Sequence, residues 1–481
     1  MKNPGFKFQQ TYTQLPDVFF TRTAPVRVSQ PELIVFNHEM AGEMGIDFSG
    51  LAPEETASIL AGNSLIDGSD PIAQAYAGHQ FGHFTNLGDG RAILLGEQVI
   101  DNVGFMDVQL KGSGRTPYSR GGDGRAALGP MLREYLISEA MHGLGIATTR
   151  SLAVVTTGEE VFRETPLTGA ILTRIASSHI RVGTFQFASA HRNPSFVKAL
   201  VDYTIRRHYP EVEESGNRAL ALLDAFMEKQ IKLVVQWMRV GFIHGVMNTD
   251  NMALSGETID YGPCAFMDVY DPKTVFSSID HGGRYAFWNQ PVVAQWNMAR
   301  FAETLLPLID SDSDKALSMA GEIMSRAERF YQDEWLKMMR QKLGISDVQP
   351  NDGTLIQELL SWMNDEKADY TNTFRDLSND RILESNHYQQ DAFQAWQKKW
   401  QSRRHEGGND VQVSIELMKS CNPSVIPRNH KVEEVLTAAN KQDLEPLHQM
   451  LKVLKTPYVS NDSMKTYQEP GTGCYQTFCG T

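Results

Sequence analysis

The pattern of apolar and polar positions changes along the chain, from short alternating runs to long helical periods. Residues 106–111 alternate apolar and polar side chains, which predicts a strand ending on Lys111, and residues 91–96 predict a strand before it. From Ala127 onward, apolar residues recur at steps of three and four until two glycines close the pattern, which predicts an amphipathic helix. Strands followed by helices are typical of an α+β protein.

Helical periodicity dominates the chain beyond residue 283. The predicted helices span residues 297–306, 314–343, 354–365 and 391–404. Two earlier segments give weaker patterns. Residues 31–44 predict a helical piece, and residues 251–254 and 257–260 predict two short strands joined at Ser255 and Gly256.

One loop in the middle of the chain has the polar spacing of a kinase catalytic loop. In the pattern H-R-D-x-x-x-x-N, an Asn follows the His by seven positions, and a later D-F-G supplies a metal-binding Asp. His244 and Asn251 have this spacing, and Asp260 begins an Asp-Tyr-Gly sequence. Val246 occupies the position of the catalytic Asp, and a hydrocarbon cannot accept a proton. Since the nearest carboxylate is Asp250, we expect a Mg-nucleotide site whose transfer differs from phosphorylation of a hydroxyl; the alternative is a structural Asp-Asn turn.

Glycines and cations suited to phosphate binding are concentrated between residues 76 and 133. Glycine lets the backbone approach a ligand closely. Although the formal net charge is -13, residues 109–133 contain five cations against one acid, Asp123. Local positive charge in an acidic chain predicts a bound polyanion. Further along, Arg174 and Arg181 are spaced to reach one triphosphate if the chain turns between them, and the other interpretation is a solvated strand end.

Kinase folds pair the strand lysine with an acid on the following helix. Helical periodicity offers two candidates here, Glu134 and Glu139, which project with different apolar neighbours. The pattern alone does not choose between them, and we favour Glu134.

Several motifs in this chain together resemble the selenoprotein O family of kinase-like proteins. The motifs are residues 76–82, 109–114, 244–251, 260–263 and 422–430. The resemblance extends from about Phe19 to Thr481 and implies an α+β, bilobal protein-kinase-like fold with N-terminal and helical C-terminal extensions. It divides the chain into an extension (1–75), an N-lobe (76–169), a C-lobe with helical additions (170–458) and a flexible tail (459–481).

The resemblance also implies an activity, in which AMP is transferred from ATP to Ser, Thr or Tyr hydroxyls of proteins. ATP binds in a flipped orientation in this family, so that its α-phosphate faces the acceptor. The implied enzyme class is nucleotidyltransferase, and the sequence leaves open whether UTP can replace ATP, which would make the reaction a uridylyl transfer. Asp250 is implied as the proton acceptor, with Asn251 and Asp260 as ligands of Mg²⁺ or Mn²⁺. The implied nucleotide contacts are Gly88, Gly90, Arg91, Lys111, Asp123, Gly124, Arg174, Arg181 and Asp260.

A redox-active cysteine near the C-terminus is common in this family, and the matching tail here contains Cys474 and Cys479. The two thiols are spaced to pair with each other, or one of them with Cys264. A regulatory disulfide and two inert exposed cysteines remain alternative interpretations, because reactivity depends on exposure and pKa.

Composition sets the remaining expectations. The 481 residues are 41% hydrophobic and 21% charged, without an apolar leader or a run long enough to cross a bilayer. Four cysteines give no disulfide framework, which predicts a cytoplasmic location. The acidity argues against nucleic acid, so the expected partners are protein substrates, with no membrane and no assigned oligomeric state.

Three other functions compete with nucleotidyl transfer. A small-molecule or protein kinase would transfer the γ-phosphate, but Val246 opposes it. A non-catalytic ATP-binding scaffold has no need of a base beside two metal ligands. His79 and His83 are four residues apart, but a zinc hydrolase usually needs a third ligand, and none is evident.

Overall fold

A computed structural model describes residues 3–101, 103–379, 386–406, 410–461, 464–473 and 475–477. The strands are β1 (Phe8–Gln9), β2 (Phe20–Arg22), β3 (Glu32–Phe36), β4 (Ile72–Gln74), β5 (Ala77–Gln80), β6 (His83–Asn86), β7 (Ala92–Ile100), β8 (Gly104–Lys111), β9 (Ala126–Ala127), β10 (Arg150–Phe162), β11 (Pro166–Ala176), β12 (Phe242–Ile243) and β13 (Ala265–Phe266). The helices are α1 (His38–Glu43), α2 (Pro53–Leu60), α3 (Leu128–Gly143), α4 (Val182–Ala190), α5 (Pro194–His208), α6 (Arg218–Val240), α7 (Gln290–Ile309), α8 (Ser313–Lys342), α9 (Asp352–Asp365), α10 (Tyr370–Leu377), α11 (Asp391–Glu406), α12 (Val411–Cys421), α13 (Asn429–Ala439), α14 (Glu445–Leu454) and α15 (Lys465–Gln468). The mixture confirms the α+β class.

A nine-stranded antiparallel sheet forms the first half of the fold. Its main path runs β2-β4-β7-β8-β11-β10-β3, with β1 paired to β7 and β9 to β11. The central strands are buried on both faces: Leu172 belongs to the core beneath α3, whereas Ile171 and Ile175 belong to a second core that includes side chains of α1 and α2. This alternation follows from the two-residue period of a strand.

The register between β8 and β11 positions two cations on one face of the sheet. Lys111 lies opposite Leu172, and Gln109 lies opposite Arg174. Because side chains two residues apart share a face, Lys111 and Arg174 are diagonal neighbours. Helix α3 packs on this face, against β10 and β11.

Helix α6 leads into the loop that carries the kinase-like motif. Its first turn is capped by Asn217, whose side chain accepts a hydrogen bond from Leu220 N, and it ends at Gly241 in the left-handed conformation with φ 72°. The apolar face of the helix packs against α7 and α8. The loop is therefore anchored to the core of the helical half.

Two predicted segments were wrong in part. The helical piece at residues 31–44 is strand β3 followed by the short helix α1, because β3 pairs with β10. Residues 251–254 and 257–260 do not pair with each other as a hairpin. Their bridges go to distant partners instead, Arg181 for Ala253 and Thr148 for Thr258. Long-range pairing of this kind leaves no local signal in the sequence.

The motif at residues 422–430 ties the C-terminal helices to the core. Arg428 is almost completely buried, and its guanidinium donates to Asp268 and Asp369 at 2.5 and 2.7 Å. Of the predicted flexible tail, Thr477 lies against the loop after Asp260, where its amide donates to Phe276 O at 2.8 Å. Cys474 and Cys479 lie outside the described residues. No helix in the described part of the chain is long and apolar enough to cross a membrane.

Candidate active site

A cavity of about 360 Å³ lies between the sheet and the loop that follows α6. Every residue predicted to contact nucleotide, metal or proton lines this one cavity. These residues are Gly88, Gly90, Arg91, Lys111, Asp123, Gly124, Arg174, Arg181, Asp250, Asn251 and Asp260. The structure thus brings together segments that are up to 172 positions apart in the sequence, although the individual roles of the residues stay predictions.

Asp260 is the centre of a buried ion cluster at the base of the cavity. Its Oδ1 accepts from Lys111 Nζ at 2.7 Å and from Arg174 Nη1 at 2.5 Å, and its Oδ2 accepts from Arg181 Nη1 at 2.7 Å. Burial by itself would raise the pKa of Asp260, but the attraction of the three cations outweighs it, so the pKa lies well below its usual value. The carboxylate is therefore ionised and cannot serve as a base near neutral pH.

The backbone of Asp260 is also constrained, since its φ is 62°. This left-handed conformation is uncommon for a residue with a side chain, and Asp tolerates it better than most. Such positions persist where the surroundings over-determine them, often at functional sites. The three ion pairs supply that constraint here.

Glu134 holds the cations of the cluster from the opposite side. Its Oε2 accepts from Lys111 Nζ at 2.6 Å, and its Oε1 accepts from Arg174 Nη1 at 3.2 Å. Glu139 instead forms a bidentate pair with Arg150, at 2.9 and 2.8 Å. The preference for Glu134 as the partner of Lys111 is confirmed.

Asp250 has a different electrostatic environment from Asp260. It is only 7% exposed, and its Oδ1 has no hydrogen-bond partner among the described residues. Burial raises the pKa of Asp250 to about 6, despite the opposing effect of Arg181. Arg181 Nη1 donates to the main-chain oxygen of Asp250 at 2.8 Å. Asp250 lines the cavity, and a carboxylate with a pKa near 6 is suited to accept a proton close to neutral pH.

The strand β5 passes so close to Asp250 that only glycine fits at one position. A Cβ atom on Gly78 would lie 2.2 Å from Asp250 Oδ1. The next strand residue, His79, donates its amide to Thr249 Oγ1 at 2.7 Å, and Phe81 donates its amide to Asn248 Oδ1 at 3.0 Å. The β5–β6 hairpin therefore fixes the position of residues 248–250 through these hydrogen bonds.

The loop itself is held by main-chain contacts. His244 is buried, and its Nε2 lies 2.9 Å from Ile259 O, just before Asp260. Asn251 Nδ2 donates to Val246 O at 2.8 Å, which leaves its side-chain oxygen as the atom available to a ligand. These contacts join the two halves of the motif through residues that carry no charge.

Close backbone approaches shape the side of the cavity formed by the glycine-rich loops. A Cβ atom would lie 2.5 Å from the Tyr118 ring at Gly88, and 2.9 Å from Tyr118 O at Gly90. Gly124 has φ 68°, and a Cβ there would meet Gly114 O at 2.2 Å. Asp123 pairs with Arg163 at 2.8 Å, and this hydrogen bond lowers its pKa. The loops thus present main chain and one exposed ion pair to the cavity.

Several residues that line the cavity were not predicted from the sequence. Among them, Asp89 is a buried carboxylic acid with well-defined hydrogen bonds. Its Oδ2 accepts from Gln74 N at 3.1 Å and from Gln109 Nε2 at 3.2 Å, and burial raises its pKa to about 6. Its place between two glycines that meet the cavity was the available signal. Other lining residues not singled out as contacts are Tyr76, Gln80, Tyr118, Arg163 and Asn248.

The donor set of the cavity fits a magnesium or manganese ion. No group of three or more His, Cys, Asp or Glu capable of holding a metal occurs among the described residues. Mg²⁺, however, is usually bound by one or two protein oxygens together with substrate phosphates and water. Asp260 Oδ2 accepts a single hydrogen bond, from Arg181, and Asn251 has its side-chain oxygen to offer. Both are hard oxygen donors that line the same cavity.

Comparison with known proteins defines the class of protein first. The chain is 55% identical to "Protein nucleotidyltransferase YdiU" of Pelagibacter ubique over 480 residues, which cover 99% of both chains. It is 54% identical to the protein of the same name from Alcanivorax borkumensis over 481 residues, again 99% of each chain. The Halalkalibacterium halodurans protein of that name is 55% identical, with 99% and 98% covered. These similarities confirm the predicted class, a nucleotidyltransferase.

Residues 4–455 match the protein family described as "Protein adenylyltransferase SelO". The chain therefore belongs to the SelO family of protein adenylyltransferases, as its motifs predicted.

The different roles of the two acids on α3 can be tested by nucleotide binding. We expect Glu134→Gln to weaken binding of Mg-ATP by about tenfold, which is about 1.4 kcal/mol, because Lys111 and Arg174 lose the carboxylate that orients them. Isothermal titration calorimetry measures this affinity. Glu139→Gln is the matched control and should leave it unchanged, since Glu139 pairs with Arg150. Equal losses in both variants would contradict the assignment.

Proposed function

We propose that this enzyme transfers AMP from ATP to Ser, Thr or Tyr hydroxyls of proteins, with Mg²⁺ or Mn²⁺, and that Asp250 accepts the hydroxyl proton. The observation that carries the proposal is the contrast between the two buried aspartates. Asp260 is ionised, and three cations compensate its charge. Asp250, in contrast, has an oxygen without a partner among the described residues and a pKa raised to about 6.

ATP would bind in the cavity by contacts with the main chain of the glycine-rich loops and with the cationic side chains that line it. Gly88, Gly90 and Gly124 let the loops that line the cavity pack closely on Tyr118 and Gly114. Arg91, Lys111, Arg174 and Arg181 would supply charge for the phosphates, and Asp123 and Asp260 line the same cavity. Preorganised cations of this kind stabilise charge that develops during phosphoryl and nucleotidyl transfer.

Asn251 and Asp260 would hold the metal ion through their side-chain oxygens. When bound, the ion neutralises charge on the phosphate oxygens. The protein's own contribution is to keep Asp260 ionised through Lys111, Arg174 and Arg181, so that the ligand oxygen is always available.

The transfer forms a bond between the acceptor oxygen and the α-phosphorus, and the bond to pyrophosphate breaks. The hydroxyl proton moves to Asp250, whose carboxylate the loop and the β5–β6 hairpin hold in place. For this geometry the α-phosphate must face Asp250, as in the flipped orientation implied by the family. The orientation rests on the resemblance to the family, and the three cations around Asp260 are compatible with it, because the β- and γ-phosphates together carry more negative charge than the α-phosphate.

A bilobal kinase-like architecture belongs to the same proposal. The pairing of Lys111 on β8 with Glu134 on α3, facing a loop that follows a long helix, supports it. The division at residues 76, 170 and 459 stays part of this prediction. A cytoplasmic location is supported by Cys264 and Cys421, which are free thiols.

Redox control through the tail also stays a prediction, because Cys474 and Cys479 lie outside the described residues. Cys264 is a poor partner for them in this conformation. It is completely buried, and burial raises the pKa of its thiol to about 12, which disfavours the reactive thiolate. A disulfide between the two tail cysteines remains the simpler form of the prediction.

Transfer of AMP can be distinguished from transfer of phosphate by the position of the label. With Mg²⁺ or Mn²⁺ and an acceptor protein, we expect label from α-labelled ATP, and none from γ-labelled ATP, to become attached to protein. Asp250→Asn should bind ATP but transfer at least about 100-fold more slowly, because the amide cannot accept the proton. Label from the γ position would show a kinase, and label from neither position would show a scaffold.

The raised pKa of Asp250 predicts the pH dependence of transfer. The base must be ionised, so the rate at saturating ATP should be constant well above pH 6 and fall about tenfold per pH unit below it. Single-turnover rates between pH 5 and 8 measure this profile. Asp89 has a similar pKa, so Asp89→Asn serves as the control, and the profile should persist in it. A flat profile, or one abolished by Asp89→Asn, would contradict the role of Asp250.

A further inference from the structure

An aromatic and cationic surface beside the catalytic loop takes no part in the chemistry described above. We call it the acceptor face, and it consists of His79 and Phe84 on the β5–β6 hairpin together with Arg284, Val292, Trp296 and Arg300. Phe84 is 48% exposed and Val292 is 54% exposed.

The acceptor face is connected to the proposed base by a short chain of contacts. The ring of His79 lies 5.3 Å from the ring of Trp296, edge to face. The amide of His79 donates to Thr249 Oγ1 at 2.7 Å, and Thr249 precedes Asp250 in the chain. A molecule bound on Trp296 is thus separated from the catalytic loop by one residue of β5.

Helix α7 presents its part of the face as one stripe. Val292, Trp296 and Arg300 follow one another at four-residue steps, which places them on the same side of the helix. The exposed Trp288 precedes the helix by two residues and continues this spacing. The stripe is therefore an extended surface and not a single exposed side chain.

Two arginines pack on the same tryptophan ring. The guanidinium carbons of Arg284 and Arg300 lie 4.9 and 5.0 Å from the centroid of Trp296. Each has an Nε atom that is buried and without a hydrogen-bond partner among the described residues. Arg300 pairs with Glu303, whereas Arg284 forms no ion pair with any described residue. The stacking fixes both cations on the ring and covers their Nε atoms, so a ligand would bind their terminal Nη groups.

Positive charge exceeds negative charge around the face. Residues 77–86 and 281–302 contain no Asp or Glu, and the adjoining Glu303 pairs with Arg300, so Arg284 supplies the cation that has no carboxylate partner among the described residues, in a chain whose formal net charge is -13. A local cationic surface on an acidic protein attracts negatively charged groups selectively. With Arg284 outside any ion pair among the described residues and Arg300 shared with Glu303, the face matches one carboxylate better than a nucleic acid, which would meet repulsion from the rest of the chain.

We propose that the acceptor face binds the protein substrate, and that it selects a hydroxyl residue flanked by an acidic side chain next to an apolar or aromatic one. The carboxylate would bind Arg284 and Arg300, the apolar side chain would pack on Trp296 and Val292, and the hydroxyl would then lie over Asp250. This inference rests on the proposed transfer to protein hydroxyls.

The test uses two peptides with a single Ser that differ only in the flanking residues, Asp-Phe in one and Lys-Phe in the other. Fluorescence anisotropy of labelled peptide measures binding without any reaction, and α-labelled ATP measures transfer. The variants are Arg300→Gln and Arg300→Glu. Arg329→Gln is the matched control, because Arg329 lies on α8, its side chain is 89% exposed, and it pairs with Asp333 outside the acceptor face.

We expect the wild type and Arg329→Gln to prefer the acidic peptide in both measurements. Arg300→Gln should reduce this preference by about threefold to tenfold in affinity and in kcat/KM, and Arg300→Glu should reverse it toward the lysine peptide. The affinity for ATP should be the same in all four proteins, since Arg300 does not line the nucleotide cavity.

Equal binding of both peptides by the wild type, or an unchanged preference in both Arg300 variants, would overturn the inference. Competition by a short RNA that is lost in Arg300→Gln, without peptide selectivity, would also overturn it in favour of a nucleic acid surface. Charge-selective peptide binding without any transfer of label would support the acceptor face and count against the proposed function. The two ideas can therefore fail separately.

Discussion

The site depends on the compensation of one buried carboxylate by three cations. Asp260 receives Lys111 from β8, Arg174 from β11 and Arg181 from the segment before α4. Burying charges in a protein is costly, and removal of one partner from such a cluster leaves the others uncompensated. The cluster therefore fixes the relative positions of the sheet and of the loop that ends in Asp260. Glu134 extends it to helix α3.

The same cluster determines which acid can act as a base. Its cations are directed at Asp260, and Arg181 reaches only the main-chain oxygen of Asp250. Asp250 thus keeps an oxygen without a partner among the described residues and a pKa raised by burial. Val246 occupies the position of the usual kinase Asp, and Asp250, the proton acceptor that we propose, lies four residues further along the loop. The proposed proton transfer to Asp250 follows from this difference, because the cations compensate the charge of Asp260 and not that of Asp250.

The sequence predicted which residues share the cavity better than it predicted the local structure around them, and their roles stay predictions. The alternation of apolar and polar side chains was sufficient to predict β8, although its last five residues are all buried, and the three- and four-residue periodicity was sufficient to predict α3. Periodicity could not choose between Glu134 and Glu139, since the choice depends on which strand cation each one faces. Residues 251–260 were wrongly predicted as a hairpin because their bridges are made to Arg181 and Thr148. Asp89 was missed because its burial is a tertiary property.

The central claim is that the position of Asp250 beneath β5, and not merely its presence, determines nucleotidyl transfer. Gly78→Ala tests it directly, since the added methyl would lie 2.2 Å from Asp250 Oδ1 and must displace the carboxylate. We predict a loss of about 100-fold in the single-turnover rate of AMP transfer, because a shift of about 1 Å in a reacting group has effects of that size, with ATP affinity retained. Gly216→Ala, where a Cβ meets nothing within 4 Å, should transfer normally. A Gly78→Ala variant that is folded and transfers AMP at the wild-type rate would contradict the account.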